Sequence, residues 1–291
     1  MTNATAPLAC TVRNCGLPLG RHHGEFTCSA GHTFDIARSG YVNLLQPQDR
    51  RSLSAGDSRV AMDARVALEQ AGIGRALIDA VVNTIGELSL PANAVVVDLG
   101  SGSGEMLGHL VKVVAVSGVG IDLSVAAIEH AARRFPALTW VVANADRRLP
   151  LLDGSVHLVL SIHARRNAIE CARVLTTTGC LLVVLPAPDD LIELRELVQG
   201  RPTERDRVET MLDEHATHFE LLARYRVQGQ RSLERDVLVH LLRSTYRGAR
   251  ATWSAEVHAL QPMTVTLSSD VCVLRRRQNR GGLASPPRSV D

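Results

Sequence analysis

Two groups of residues in this chain have the types and spacing to do chemistry. The first is Cys10-x4-Cys15-x12-Cys28-x3-His32. Two close pairs separated by about a dozen residues are what two chain turns present to one tetrahedral ion. Gly16 and Gly31 stand beside these ligands, where tight turns need a permissive backbone. Cys10, Cys15, Cys28 and His32 are therefore expected to hold zinc. Four protein ligands close the coordination sphere to water, so the ion is expected to be structural. His22 and His23 fit the spacing less well and are expected in solvent. The other cysteines, Cys171, Cys180 and Cys272, lie in apolar contexts and read as core.

The second group is Val95-Val96-Val97-Asp98-Leu99-Gly100-Ser101-Gly102-Ser103-Gly104-Glu105, an apolar strand running into a glycine loop and then a helix. Small residues let backbone approach a ligand, and a helix N-terminus offers free N–H groups. The glycines fall at 100, 102, 104 and 108, which is not the spacing of a dinucleotide loop. Asp98 stands where a carboxylate attracts an ammonium group, which favours S-adenosylmethionine as the ligand. Asp122 ends a second apolar run and can accept both ribose hydroxyls, with Leu123 over the adenine and Ser124 as a helix cap. After a third run, Asn144 and Ala145 are placed at the adenine, with Asp146 the alternative to Asn144. A fourth run, Val156–Ile162, ends beside the transferred methyl, because α/β sheets bind ligands at strand C-termini. His163, Arg165, Arg166 and Asn167 are therefore candidate substrate contacts, each alternatively a cap of the next helix.

These residues need a scaffold that lines up several strand ends. Apolar runs at Ala94–Leu99, Val113–Ile121, Leu138–Ala143, Val156–Ile162 and Cys180–Leu185 alternate with helical patterns at Val125–Arg134 and Ala164–Leu175. That alternation predicts α/β architecture, a parallel sheet with helices on its faces. Helical spacing also runs through 58–88. Residues 189–250 read as mainly helical, with an extended piece near Phe219–Gln228. Met263–Leu267 and Val271–Leu274, separated by Ser-Ser-Asp, suggest a closing hairpin. The tail after residue 275, rich in Arg, Gly, Pro and Ser, reads as disordered. The expected division is a zinc-binding module at 1–45, a linker and helical segment at 46–90, a catalytic domain at 91–275 and a tail at 276–291.

Composition bounds the partners. Hydrophobic residues make up 45% of the 291, enough for a buried core, whereas aromatics at 3% argue against a surface that works by stacking bases. A net charge of +2 barely favours a polyanion, although the basic residues are nearly all Arg, the only Lys being Lys112. No run approaches the roughly 18 apolar residues of a membrane span, and no signal-type start is present. A cytoplasmic protein with reduced thiols is expected, which again favours metal over disulfides.

The chain resembles the bacterial 23S ribosomal RNA guanine-N1 methyltransferases. The resemblance rests on Cys28-x3-His32-Thr33-Phe34-Asp35-Ile36-Ala37-Arg38-x-Gly40-Tyr41-Val42-Asn43-Leu44-Leu45, on Gly56-Asp57 with Met62-Asp63-Ala64-Arg65, on the glycine loop, on Arg173-Val174-Leu175, and on Leu185-Pro186 through Leu191-x-Glu193-Leu194. It implies a class I Rossmann-like methyltransferase domain behind a small zinc-ribbon-like module. It implies methyl transfer from S-adenosylmethionine to N1 of a guanine in a 23S rRNA hairpin loop, with the zinc module helping to recognise RNA. Some family members confer macrolide resistance, and a homodimer is an admissible assembly. Arg21, Arg38, Arg50, Arg51, Arg59 and Arg65 are expected to line a basic groove. The chain departs from the family where His-Tyr-x-Pro is replaced by Ile73-Gly74-Arg75-Ala76, where Arg165 replaces a Pro, where Asp190 replaces a His, and at Arg243-Ser244-Thr245-Tyr246-Arg247. The same scaffold would serve a small-molecule methyltransferase or a non-catalytic RNA-binding relative.

Overall fold

The computed structural model describes residues 6–13, 15–47, 59–199, 206–244 and 260–278. The N-terminal strands β1 (Leu19–His22), β2 (Glu25–Cys28) and β3 (Thr33–Asp35) form a three-stranded antiparallel sheet, and β4 (Val42–Asn43) follows. Two helices come next, α1 (Arg59–Gln70) and α2 (Arg75–Glu87). The helical pattern over 58–88 thus breaks in two. Gly72 and Gly74, at φ 71° and 89°, turn the chain between them.

The alternating section gives β5 (Ala94–Leu99), α3 (Glu105–Val113), β6 (Val116–Asp122), α4 (Val125–Arg134), β7 (Thr139–Val142), β8 (Val156–Ile162), α5 (Ala168–Val174) and β9 (Leu175–Pro186). Val113 closes a helix instead of opening a strand, and Leu175 opens a strand instead of ending a helix. Both are apolar at a junction, where periodicity does not separate the two states. The chain continues through α6 (Ile192–Gln199), α7 (Val208–His215), β10 (Phe219–Leu233), α8 (Arg235–Ser244) and β11 (Met263–Arg276).

One eight-stranded sheet runs in the order β10-β11-β9-β8-β5-β6-β7-β4. Strands β9 through β4 are parallel neighbours, while β11 is antiparallel to both β9 and β10. The sheet is therefore mixed, and the expected closing hairpin is replaced by a single continuous strand. Ser268, Ser269 and Asp270 are buried mid-strand, not exposed in a turn. Among the described residues the Ser268 hydroxyl is buried without a partner, but the Ser268 N–H and the Ser269 and Asp270 side chains find partners that only the fold supplies. Asp190 accepts from the Ser268 N–H, Ser269 Oγ lies 3.0 Å from His163 Nε2, and Arg226 grips Asp270 through two hydrogen bonds of 2.9 and 3.1 Å. Long-range pairing has overridden local turn preference.

Alternate residues of each strand go to opposite faces. Val97, Leu99, Val159, Leu181 and Val183 pack with α5, α7 and the N-terminal module. Val96, Leu158, Leu160, Leu182 and Val184 pack against α2, α3 and α4. A third cluster joins α1, α6 and α8 through Leu68, Leu194, Leu238 and Leu242.

The N-terminal module is built into this sheet. Val42 and Asn43 pair in parallel with Val141 and Val142 of β7, and Leu8 bridges Leu151. Leu8, Cys10, Leu19, Phe26 and Cys28 share one core with the sheet strands. Arg173 braces the junction, donating to the carbonyls of Leu149 and Leu151 while paired with Glu170 and Asp153. The expected disorder after residue 275 falls mainly outside the described residues, and Arg275 and Arg276 end β11. Most of the expected linker, with Arg50 and Arg51, and the Tyr246-Arg247 stretch also lie outside them.

Candidate metal centre and cofactor mouth

The four N-terminal ligands converge. Each offers one atom, and all lie within 4.8 Å of one another. Cys10 Sγ and Cys28 Sγ stand 3.4 and 3.5 Å from His32 Nδ1, and Cys15 Sγ stands 3.8 Å from Cys28 Sγ. A tetrahedral zinc with the usual bond lengths puts two sulfurs about 3.8 Å apart and a sulfur and nitrogen about 3.5 Å apart. The residues therefore fit the ion, and none of the three cysteines is in a disulfide. Gly16 and Gly31, at φ 66° and 81°, make the turns that bring the pairs in. His22 and His23 are exposed, as expected, and Cys171, Cys180 and Cys272 are buried.

The second site lies at the C-terminal ends of β8, β5, β6 and β7, which are adjacent in the sheet. After β5 the chain passes through Gly100, Gly102 and Gly104 at φ 70°, 52° and 78°, conformations that side chains rarely adopt. The N–H groups of Gly100 and Ser101 donate to the Ile121 carbonyl, pinning the loop to β6. A Cβ on Gly100 would stand 2.5 Å from the Ala164 Cβ. Packing also demands glycine at 104 and 120, since a Cβ on either would meet the Trp140 ring at 2.4 or 2.2 Å. Ser103 is buried within the loop.

Asp98 is buried, and that burial, with the Asp122 carboxylate beside it, pushes its carboxyl up to about 8. Such a group gains most from a cation brought next to it. Asp122 accepts from the Gly102 N–H at 2.9 Å with one oxygen and from the Ser124 N–H at 2.8 Å with the other. Ser124 caps α4 through the Ala127 N–H, as expected. Leu123 and Ala145 are half-buried at the ends of β6 and β7, beside buried Asn144, whose side-chain oxygen accepts from the Asp146 N–H.

The four candidates after β8 separate. His163 adopts φ 51° at the strand end, a strained conformation of the kind found at functional sites. The residue is exposed, yet its imidazole packs against buried Ser269, with Nε2 3.0 Å from Oγ. That crowding and the nearby Arg65 charge hold its imidazole down to about 4, so it is neutral at physiological pH. Arg165 is exposed and paired with Asp146 at 3.0 Å. Arg166 turns under the sheet, where its Nε donates to His215 Nε2, and His215 in turn donates from Nδ1 to the Met211 carbonyl. Asn167 caps α5, accepting from the N–H groups of Ile169 and Glu170.

Two mouth residues escaped the sequence reading. Ser269, assigned to a turn, touches His163. Arg65, grouped with groove arginines, instead stands over the cofactor loop, its Nη1 being 3.8 Å from where a Cβ on Gly102 would lie. Arg21, Arg38 and Arg59 are exposed.

An acid-ended strand, a glycine turn and a second acid at the next strand end, on a sheet of this order, define an S-adenosylmethionine-dependent methyltransferase domain. A family model described as a methyltransferase domain matches residues 96–179, and one described as "RlmA, N-terminal" matches residues 9–53. The chain is 36% identical over 228 residues, covering 77% of this chain and 80% of the relative, to the 23S rRNA (guanine(748)-N(1))-methyltransferase of Streptomyces fradiae. It is 34% identical to a putative 23S rRNA guanine-N1 methyltransferase of Micromonospora griseorubida, over 89% of this chain and 94% of that one. A Bacillus subtilis protein of the same description is 32% identical, over 84% and 86% of the two chains. The chain belongs to the 23S rRNA guanine-N1 methyltransferase family. No helix among the described residues is long and apolar enough to cross a membrane.

Proposed function

We propose that this chain transfers the methyl group of S-adenosylmethionine to N1 of a guanine in a hairpin loop of 23S rRNA, in the cytoplasm. The observation that carries the reading is the joining of the metal module to the catalytic sheet through β4 and β7, beside the strand ends that form the mouth. The match to the Micromonospora relative, over 89% of this chain, reaches into both parts. In this reading the zinc-binding module, residues 1–45, presents RNA, and the methyltransferase domain, residues 91–275, performs the transfer. Exposed Arg21, Arg38 and Arg59 supply phosphate contacts, so binding weakens steeply with salt.

Asp98 receives the cofactor's ammonium group, Gly100, Gly102, Ser103 and Gly104 bring backbone close, Asp122 takes the ribose hydroxyls, and Asn144, Ala145 and Leu123 border the adenine. The bound cofactor supplies an electrophilic methyl group. Guanine N1 carries a proton at neutral pH, so the target base must lie outside a stack and pass that proton to water as the N–C bond forms and the methyl's bond to sulfur breaks. Neutral His163 at the mouth orients the base by hydrogen bonding, and Arg165 lies at the same rim to favour the charge developing on O6.

A homodimer belongs to the same reading. The outer edge of β10, which pairs only with β11 among the described residues, is the surface offered for it, and sedimentation tests it. A link to antibiotic resistance is tested by macrolide sensitivity with and without the gene.

The deciding experiment is transfer of labelled methyl to total RNA from a strain lacking N1 methylation, followed by nucleoside analysis. N1-methylguanosine in large-subunit RNA is the expected result. Cofactor binding without labelled RNA would instead point to a small-molecule acceptor.

A further inference from the structure

The cofactor's amino-acid end is a zwitterion, and the mouth as described so far matches only half of it. Asp98 suits the ammonium group. The carboxylate, however, must enter beside two acids, Asp98 and Asp122, the second of which already pushes the carboxyl of the first upward. An anion in that position needs a cation close by.

One stands there. Arg65 lies on α1, whose buried neighbours Ala61, Met62, Ala64 and Leu68 hold that helix down. Its Nη2 donates to the Ser244 carbonyl at the end of α8 at 3.3 Å, which fixes the guanidinium. Among the described residues beyond its chain neighbours, its Nη1 is the one atom within 4 Å of a Cβ built on Gly102, the middle glycine of the cofactor loop. Its charge also reaches His163 across the mouth. Arg65 therefore bounds the space over the loop, inside the mouth and away from an outer groove.

We propose that Arg65 binds the carboxylate of the cofactor's methionine moiety, so that Asp98 and Arg65 together read both charges of the amino-acid end. A planar guanidinium matches a carboxylate through paired N–H donors. This assignment makes the site selective for a cofactor that keeps its carboxylate. It rests on the reading of the glycine loop as an S-adenosylmethionine site.

The test compares binding of S-adenosylmethionine and decarboxylated S-adenosylmethionine to the zinc-loaded full chain by calorimetry, in wild type, Arg65→Met and Arg65→Lys. Wild type is expected to favour the carboxylated ligand by about 10- to 100-fold, as a charge-assisted contact of this kind provides. In Arg65→Met that preference collapses, through weaker binding of S-adenosylmethionine and little change for the decarboxylated ligand. Arg65→Lys restores part of it. Retained binding of the decarboxylated ligand also shows that the variant is folded. Equal losses for both ligands, or a wild type indifferent to the carboxylate, would overturn the assignment and leave the loop's role intact. A wild type that binds neither ligand would sink the loop reading and this assignment together.

Discussion

The metal centre and the cofactor mouth solve the same problem, gathering polar groups into one place, in opposite ways. The metal centre draws all its ligands from residues 10–32, and their sulfur and nitrogen atoms already stand at tetrahedral separations. The mouth draws on Arg65, Asp98, Asp122, Asn144, His163 and Ser269, residues far apart in the chain and brought together by strand order. Its acids are engaged with backbone or raised in pKa, poised for an incoming partner. A closed structural centre is specified locally. An open site has to be specified by the whole sheet, because it must leave room.

That contrast can be broken most severely at the metal. Cys28→Ser, or chelation, removes binding energy on the order of 10 kcal/mol and should unfold the N-terminal module. Because β4 pairs with β7 and Leu8 bridges Leu151, the methyltransferase part should lose stability with it. Thermal unfolding with a metal assay checks this. A catalytic part that melts at its original temperature would show that the two regions fold independently.

A smaller loss is expected at the glycines behind the mouth. Gly120→Ala would drive a methyl group to 2.2 Å from the Trp140 ring, and such overpacking costs about 1–3 kcal/mol or more. Trp140→Leu in the same chain should return part of it in denaturant titrations. Cofactor affinity should fall less than stability, since the space beside this glycine is filled first by the Trp140 ring, with Ser101 Oγ at 3.0 Å.

Asp98 sharpens the idea of a poised site. Its carboxyl lies near 8 in the folded chain against an ordinary 3.8, so the folded state keeps a proton that the unfolded chain has released. Its contribution to stability is therefore full below about pH 4 and lost as pH rises toward 8. Asp98→Asn should gain stability relative to wild type over that interval in the absence of cofactor. It should also bind S-adenosylmethionine at least about tenfold more weakly, as the loss of a charge-assisted contact implies. Wild type should expel a proton on binding at neutral pH, which calorimetry in two buffers of different ionisation heat would reveal. An unchanged heat would mean that Asp98 is already ionised.

The least effect is expected at Asn167. Its side chain caps α5, so Asn167→Ala should cost about 1 kcal/mol without altering cofactor affinity. Impaired methyl transfer at unchanged stability would instead assign it to the mouth.

How much was legible follows the same divide. The gathering of Cys10, Cys15, Cys28 and His32, the acid-ended strand with its glycine turn, and the four strands that carry the mouth were legible, because each depends on neighbours a few residues away. The His163 strand end was also visible, but the separate fates of Arg165, Arg166 and Asn167 were not. Side chains at successive positions leave a turn in different directions, and only packing decides which one faces the cleft. Ser269 was hidden because Ser-Ser-Asp is a good turn sequence. Pairing on both sides of β11 outweighed that preference.

The sequence by itself determined the metal, the nucleotide-loop chemistry and the α/β alternation, since all three are set by residue type and short-range spacing. Tertiary structure decided that β11 is one strand, that the zinc module shares a sheet and a core with the catalytic part, and that Arg65 stands over Gly102. These depend on which surfaces find each other once chain entropy has been overcome. Contacts between distant segments carry no local signature, because the energy that selects them comes from burial and pairing summed over the whole fold.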